Sequence, residues 1–284
     1  GSLLVSGCTA GTVPSASVSS SADPTASVAS PSPTSTTVGD LQLATTPSPV
    51  VDRLQLPEVN PKVPGVGSGL GPDLNAYLSQ RLEWSDCEQG TQCAGVWAPL
   101  DYADPGRAAV TLVMRRKPAT KKPVLGTLFI NPGGPGASGT EMVSSFASTG
   151  LEAYDIVGWD PRGTGQSTPI RCLSDADTDA YNELDLSPDD PAERAALLAG
   201  VEAFNKGCWQ RNGKLLEHVG TIDTVRDLDL LRRLLKQPKL NFLGYSYGTQ
   251  IGAYYAELFP ENTGRLVLDA AVNITTDESI PQAE

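Results

Sequence analysis

The sequence predicts an α/β fold, a mostly parallel sheet with helices on both faces. Two observations carry this. Short apolar runs ending in glycine, "VLGTLFINPGG" (124–134) and "YDIVGWDPRGTG" (154–165), read as buried strands. Segments of helical spacing alternate with such runs, and strands apolar on both faces need cover on both faces.

Taken in order, "DLNAYLSQRLEW" (73–84) has helical spacing. "AGVWAPLDYA" and "AAVTLVMRRK" read as strands separated by the turn "DPGR". The strands at 124–134 and 154–165 follow. "PAERAALLAGVEAFNKGCWQR" (191–211) is a helix opened by Asp189, Asp190 and Pro191. "TIDTVRDLDLLRRLLKQ" (221–237) is another, with Thr221 or Asp223 as N-cap candidates. "KLNFLGY" is a strand, "SYGTQIGAYYAELF" a helix, and "GRLVLDA" (264–270) a last strand.

The chain has 284 residues, of which 39% are hydrophobic, and that average hides a split. Residues 9–50 are nearly all Ser, Thr, Ala, Pro, Val and Gly, and cannot bury enough apolar surface to offset ordering entropy. The organisation that follows is a processing-site remnant over 1–8, a disordered tether over 9–71, and a globular part over 72–284. About 60 flexible residues reach roughly 40–45 Å, enough to hold a domain clear of a membrane surface or to thread a cell wall. The net charge of −12 argues against nucleic acid, which needs a basic face. No run of 18 apolar residues exists, so no spanning helix is expected.

The five cysteines divide into one and four. Cys8, in "LLVSGCTAG", is similar to a bacterial lipoprotein processing site and would carry a lipid anchor, although a basic leader segment is lacking. The other four allow three pairings. Nearness in sequence favours Cys87–Cys93 and Cys172–Cys208, which fits the extracellular side of a cell envelope; four buried thiols in a cytosolic protein is the competing reading.

Three stretches carry chemistry. Gly244-Tyr245-Ser246-Tyr247-Gly248 is a G-x-S-x-G motif, which arises by chance in about one chain in ten of this length. Its strand–turn–helix setting is the one a serine nucleophile requires; the alternative is an ordinary turn with a capping serine. "NPGGPGASG" (131–139), directly after a buried strand, can turn a backbone N–H toward a developing oxyanion, shared with the N–H of Tyr247. A plain turn or a phosphate cradle are the alternatives, though the lysine of a phosphate-binding loop is missing. In "GWDPRGTGQS" (158–167), Asp160 and Arg162 are expected to form an ion pair bracing the glycine loop.

The order NPGGPGASG, DPRGTGQS, GYSYGTQIGAYYAELFP, GRLVLDA resembles the α/β-hydrolase superfamily. More narrowly, it resembles the secreted tripeptidyl aminopeptidase-like and proline iminopeptidase-like serine peptidases. "CAGVWAPLDYADP" and "TVRDLDLLRRLL" are similar to the tripeptidyl branch, as is the asparagine-proline form of the loop; the iminopeptidases often have His where this chain has Pro132. The resemblance covers about residues 75–275. It implies an exopeptidase acting on peptides without a cofactor, with Ser246 as nucleophile and Gly134 and Tyr247 as oxyanion donors. An envelope esterase or lipase, or a non-catalytic surface lipoprotein, are the other readings.

The family order is Ser, Asp, His, and here only 38 residues follow Ser246. The expectation is therefore an N-terminal half, or one of a split pair, whose last strands, cap, acid and base belong to a further segment or a complementary chain. Alone it would be nearly inactive. Strand 265–269 would be a bare edge prone to association. Asp269 matches a family aspartate other than the triad acid. The single histidine, His218, is expected at the far end of the sheet from Ser246 and is read as structural.

Overall fold

The structure is a computed structural model that describes residues 66–274. Cys8, its processing site and the tether as far as residue 65 lie outside the described residues, as do residues 275–284. The strands are β1 (Gly67–Ser68), β2 (Ser85–Asp86), β3 (Gln92–Pro99), β4 (Ala108–Lys117), β5 (Gly126–Asn131), β6 (Tyr154–Trp159), β7 (Leu240–Tyr245) and β8 (Thr263–Asp269). The helices are α1 (Leu74–Leu78), α2 (Gly139–Ser145), α3 (Asp175–Asn182), α4 (Pro191–Asn212), α5 (Thr221–Leu234) and α6 (Tyr247–Leu258).

One sheet runs in the order β2-β3-β4-β6-β5-β7-β8, with β1 beside β4. Strands β6, β5, β7 and β8 are parallel, while the β2-β3-β4 arm is antiparallel and joins β6 antiparallel. Both faces are covered, as expected. Side-chain alternation along β5 sends Phe129 to one face, with Trp159, Phe242, Leu228 and Ile251, and Ile130 to the other, with Ile156 and Val143 of α2. At the far end, β8 leaves Val267 57% exposed.

Local signals held where the backbone's partners are local. Asp190 caps α4 and forms a reciprocal capping box with Glu193, with Pro191 in the first turn. Cys87 is bonded to Cys93, and Cys172 to Cys208. Three expectations need correction. The helix expected over 73–84 ends at Leu78, because the Gln80 amide crosses to β3 instead: it donates to the Trp97 carbonyl at 2.8 Å and accepts the Trp97 N–H at 2.7 Å. Gly67–Ser68, assigned to the tether, pair with Ala109 and Ala108, and the Tyr77 hydroxyl accepts the Leu70 N–H. Neither Thr221 nor Asp223 caps α5; its N-cap is Gly220, without a side-chain bond.

The most buried polar contact joins the loops at the C-terminal end of the parallel strands. Arg162 and Asp227 pair at 2.6 Å with both side chains 0% exposed. The same guanidinium donates to the carbonyls of Pro99, Leu100 and His218. Tyr102 Oη donates to Asp227 Oδ1 at 2.8 Å, so every charge in the cluster is hydrogen-bonded. Burial works against the Arg162 cation, but the adjacent Asp227 carboxylate outweighs it and raises the guanidinium's pKa. Burial first, then the Asp227 charge, raise the Tyr102 phenol well above its usual value. Asp227→Ala would strand a buried cation and is expected to cost about 3–5 kcal/mol in urea unfolding. Asp175→Ala, which removes an exposed partner of Arg171, is expected to leave the midpoint unchanged.

Candidate active site

The site is built around an unusual backbone. β7 ends at Tyr245, α6 begins at Tyr247, and Ser246 between them has φ 51° and ψ −121°. A side chain other than glycine's is rarely tolerated there. The turn is held from both sides: the Ser246 N–H donates to the Asp269 carbonyl at 2.9 Å, and the Ser246 carbonyl accepts from Thr249 N and Oγ1. The Ser246 side chain is exposed and makes no capping bond. The alternative of a capping serine therefore fails. A cap residue has an extended backbone that aims its oxygen at the helix N–H groups, and Ser246 does not. The flanking glycines are steric requirements: a Cβ at Gly244 would overlap the Gly248 carbonyl, and one at Gly248 would stand 2.9 Å from both Asn131 O and Oδ1.

The loop after β5 lies directly on this turn. Gly133 has φ +96°, and a Cβ there would overlap the Tyr245 carbonyl oxygen and stand 3.1 Å from Ser246 Cβ and from Tyr247 N. Its N–H donates to Asn131 Oδ1 at 3.0 Å. The N–H of Gly134 has no hydrogen-bond partner among the described residues. Ser246, Tyr247 and the Gly133–Gly134 segment, singled out from sequence, are thus brought together. An exposed hydroxyl beside two backbone segments is an arrangement suited to attack on a carbonyl whose oxygen gains negative charge.

Asp160 and Arg162 are not paired with each other. Asp160 does brace the glycine loop, but through neutral donors: Ser138 Oγ at 2.7 Å, Thr140 N at 3.1 Å and Gln166 N at 2.9 Å. With its oxygens so occupied, the Arg162 fork turns to Asp227, which meets it through both oxygens. Asp269 gives its main chain to the turn, and its side chain is exposed.

The placement of His218 was wrong. Its carbonyl accepts from Arg162, and three residues on Thr221 Oγ1 lies 2.8 Å from Tyr247 Oη. The loop is therefore at the Ser246 end of the sheet, because α5 runs back down before β7 climbs and its first turn is near the end of β7. No hydrogen bond joins His218 to Ser246 among the described residues. Sequence reading missed the roles of Asn131, Thr221 and Asp227. Asn131 stands out in sequence only as part of the asparagine-proline form of the loop and Thr221 only as a cap candidate, and the Thr221 hydroxyl serves Tyr247 rather than the helix end.

Gly133→Ala is expected to lower the unfolding free energy by about 1–3 kcal/mol, because the methyl collides with backbone that cannot yield. Gly136→Ala shares the positive φ with nothing within 4 Å, so it should cost less in the same urea titration.

A family described as the alpha/beta hydrolase fold matches residues 126–284. Tripeptidyl aminopeptidase of Streptomyces lividans is 38% identical over 217 residues, covering 71% of this chain and 40% of that protein. Serine protease Hip1 of Mycobacterium tuberculosis is 39% identical over 218 residues, covering 70% and 41%. Carboxylesterase B of the same organism is 35% identical over 238 residues, covering 77% and 45%. The chain thus spans less than half the length of these curated relatives. With the family match extending over more than half of the chain, and the serine turn and glycine loop in the geometry described above, the chain belongs to the α/β-hydrolase family.

Proposed function

We propose that this chain carries the nucleophile and oxyanion site of a serine exopeptidase that removes residues from peptide N-termini. The observation that carries the reading is Ser246 itself, an exposed hydroxyl on a strained turn, with Tyr247 N and the Gly133–Gly134 loop against it. In the reaction, Ser246 Oγ attacks the scissile carbonyl carbon. The N–H groups of Tyr247 and Gly134 donate to the oxygen as it becomes negative. The hydroxyl proton passes to a base and from it to the leaving amine, and water then releases the acyl group from Ser246. In this reading the base and its carboxylate partner are supplied by polypeptide other than residues 66–274; it is supported by the absence, among the described residues, of a hydrogen bond between His218 and Ser246. The likeness to the tripeptidyl aminopeptidase and to the serine protease supports a peptide substrate. The likeness to a carboxylesterase favours a second reading, hydrolysis of envelope esters at the same serine.

Two disulfides support an oxidising compartment. The proposal therefore includes a location on the outer side of a bacterial envelope, with lipid on Cys8 and the following segment as a tether. Mass spectrometry of the N-terminal peptide from cells checks it; an unmodified Cys8 thiol there rejects the anchor.

A fluorophosphonate probe is expected to label Ser246 in the full-length protein and to fail with Ser246→Ala. Absence of labelling in the parent protein would favour a non-catalytic binding role. Turnover of tripeptidyl or aminoacyl amides at least about tenfold above that of short-chain esters is expected for the peptidase, and the reverse order rejects it in favour of the esterase.

A further inference from the structure

We infer that Asn131 is the positioning residue of the oxyanion site, acting through both ends of its side-chain amide. The catalytic consequence rests on the serine hydrolase reading above; the geometry does not. Asn131 closes β5, stands opposite Gly244 in the parallel register, and is fully buried.

Its Oδ1 accepts the Gly133 N–H at 3.0 Å. With that amide engaged inside the loop, the next one, Gly134, keeps its N–H free for a substrate oxygen. The same residue bears on the other wall of the site. Asn131 O and Oδ1 both lie 2.9 Å from the point where Gly248 would carry a Cβ, so they line the first turn of α6, which begins with Tyr247, and leave it no room for a side chain. One residue therefore touches both segments that carry the proposed oxyanion donors.

The other end of the amide is unmatched. Asn131 Nδ2 is buried and has no hydrogen-bond partner among the described residues. A buried donor without an acceptor costs stability, so a position that served packing alone would be better filled by an apolar side chain. The unmatched Nδ2–H dipole adds positive potential beside the loop that faces Ser246. A neutral carbonyl oxygen gains little from that, whereas an oxygen becoming negative gains more.

Asn131→Asp separates these roles. It keeps the shape and the acceptor for Gly133. Ionised, it puts a negative charge where the donor was; protonated, it restores a neutral donor. Asn131→Ala removes both ends. The measurements are the rate of fluorophosphonate labelling of Ser246 from about pH 5 to 9, thermal melting at each pH, and amide hydrogen exchange at Gly133, all on the full-length protein. Asn131→Asp is expected to label about 100-fold more slowly than the parent at high pH, with the deficit shrinking as pH falls. Asn131→Ala is expected to speed exchange at Gly133. A parent-to-Asp rate ratio that stays constant across pH in a protein still melting cooperatively overturns the electrostatic role. Unchanged exchange at Gly133 in Asn131→Ala overturns the anchoring role. A parent protein that never labels overturns the hydrolase reading and the catalytic half of the inference, while the exchange measurement still decides the anchor.

Discussion

The left-handed backbone of Ser246 is the constraint on which the rest of the site depends. Such a conformation costs about 1–3 kcal/mol and persists only where the surroundings over-determine it. Here three strand ends do so. β8 supplies the carbonyl of Asp269 to the Ser246 N–H, β7 supplies the close glycine contact to α6, and the loop after β5 lies against the turn through Gly133. The two glycine contacts lack room for a methyl group. The serine is presented outward because none of its neighbours leaves it another way to sit.

A second layer keeps those strand ends in register. Arg162 reaches the carbonyls at the end of β3 and the carbonyl of His218 before α5, while its charge is met by Asp227 within α5. Asp160, two residues earlier, holds the exit of the glycine loop and the start of α2. From α5 the chain of contacts returns to the site through Thr221 and the Tyr247 hydroxyl. Two residues of one short loop thus divide the work. Asp160 steadies the loop that faces Ser246, and Arg162 steadies the elements that surround it.

Strands β3 to β8, α4 with its opening Asp190 and Pro191, and both disulfide pairings were legible in the sequence. Their determinants are apolar runs, caps within four residues, and cysteines that are neighbours in sequence or brought together by one helical arm. The elbow was legible because two glycines and a serine at fixed spacing restrict a local turn. What misled the reading were residues with a plausible local partner and a better distant one. Gln80 leaves a helix for β3, Thr221 leaves a cap for Tyr247, and Arg162 leaves Asp160 for Asp227, 65 residues away. His218 was misplaced for a related reason: its position depends on the direction in which α5 crosses the sheet.

The sequence by itself determined the type of most of the long elements, the serine turn at 244–248 and the glycine loop that accompanies it. These follow from short-range sterics and from hydrophobic period, which act over a few residues. The tertiary structure alone decided which carboxylate meets which guanidinium, which hydroxyl reaches Tyr247, and that Asn131 bears on both walls of the site. Those choices are made between groups far apart in the chain. A buried polar atom must find a partner wherever the packed sheet brings one, and no local pattern records where that will be.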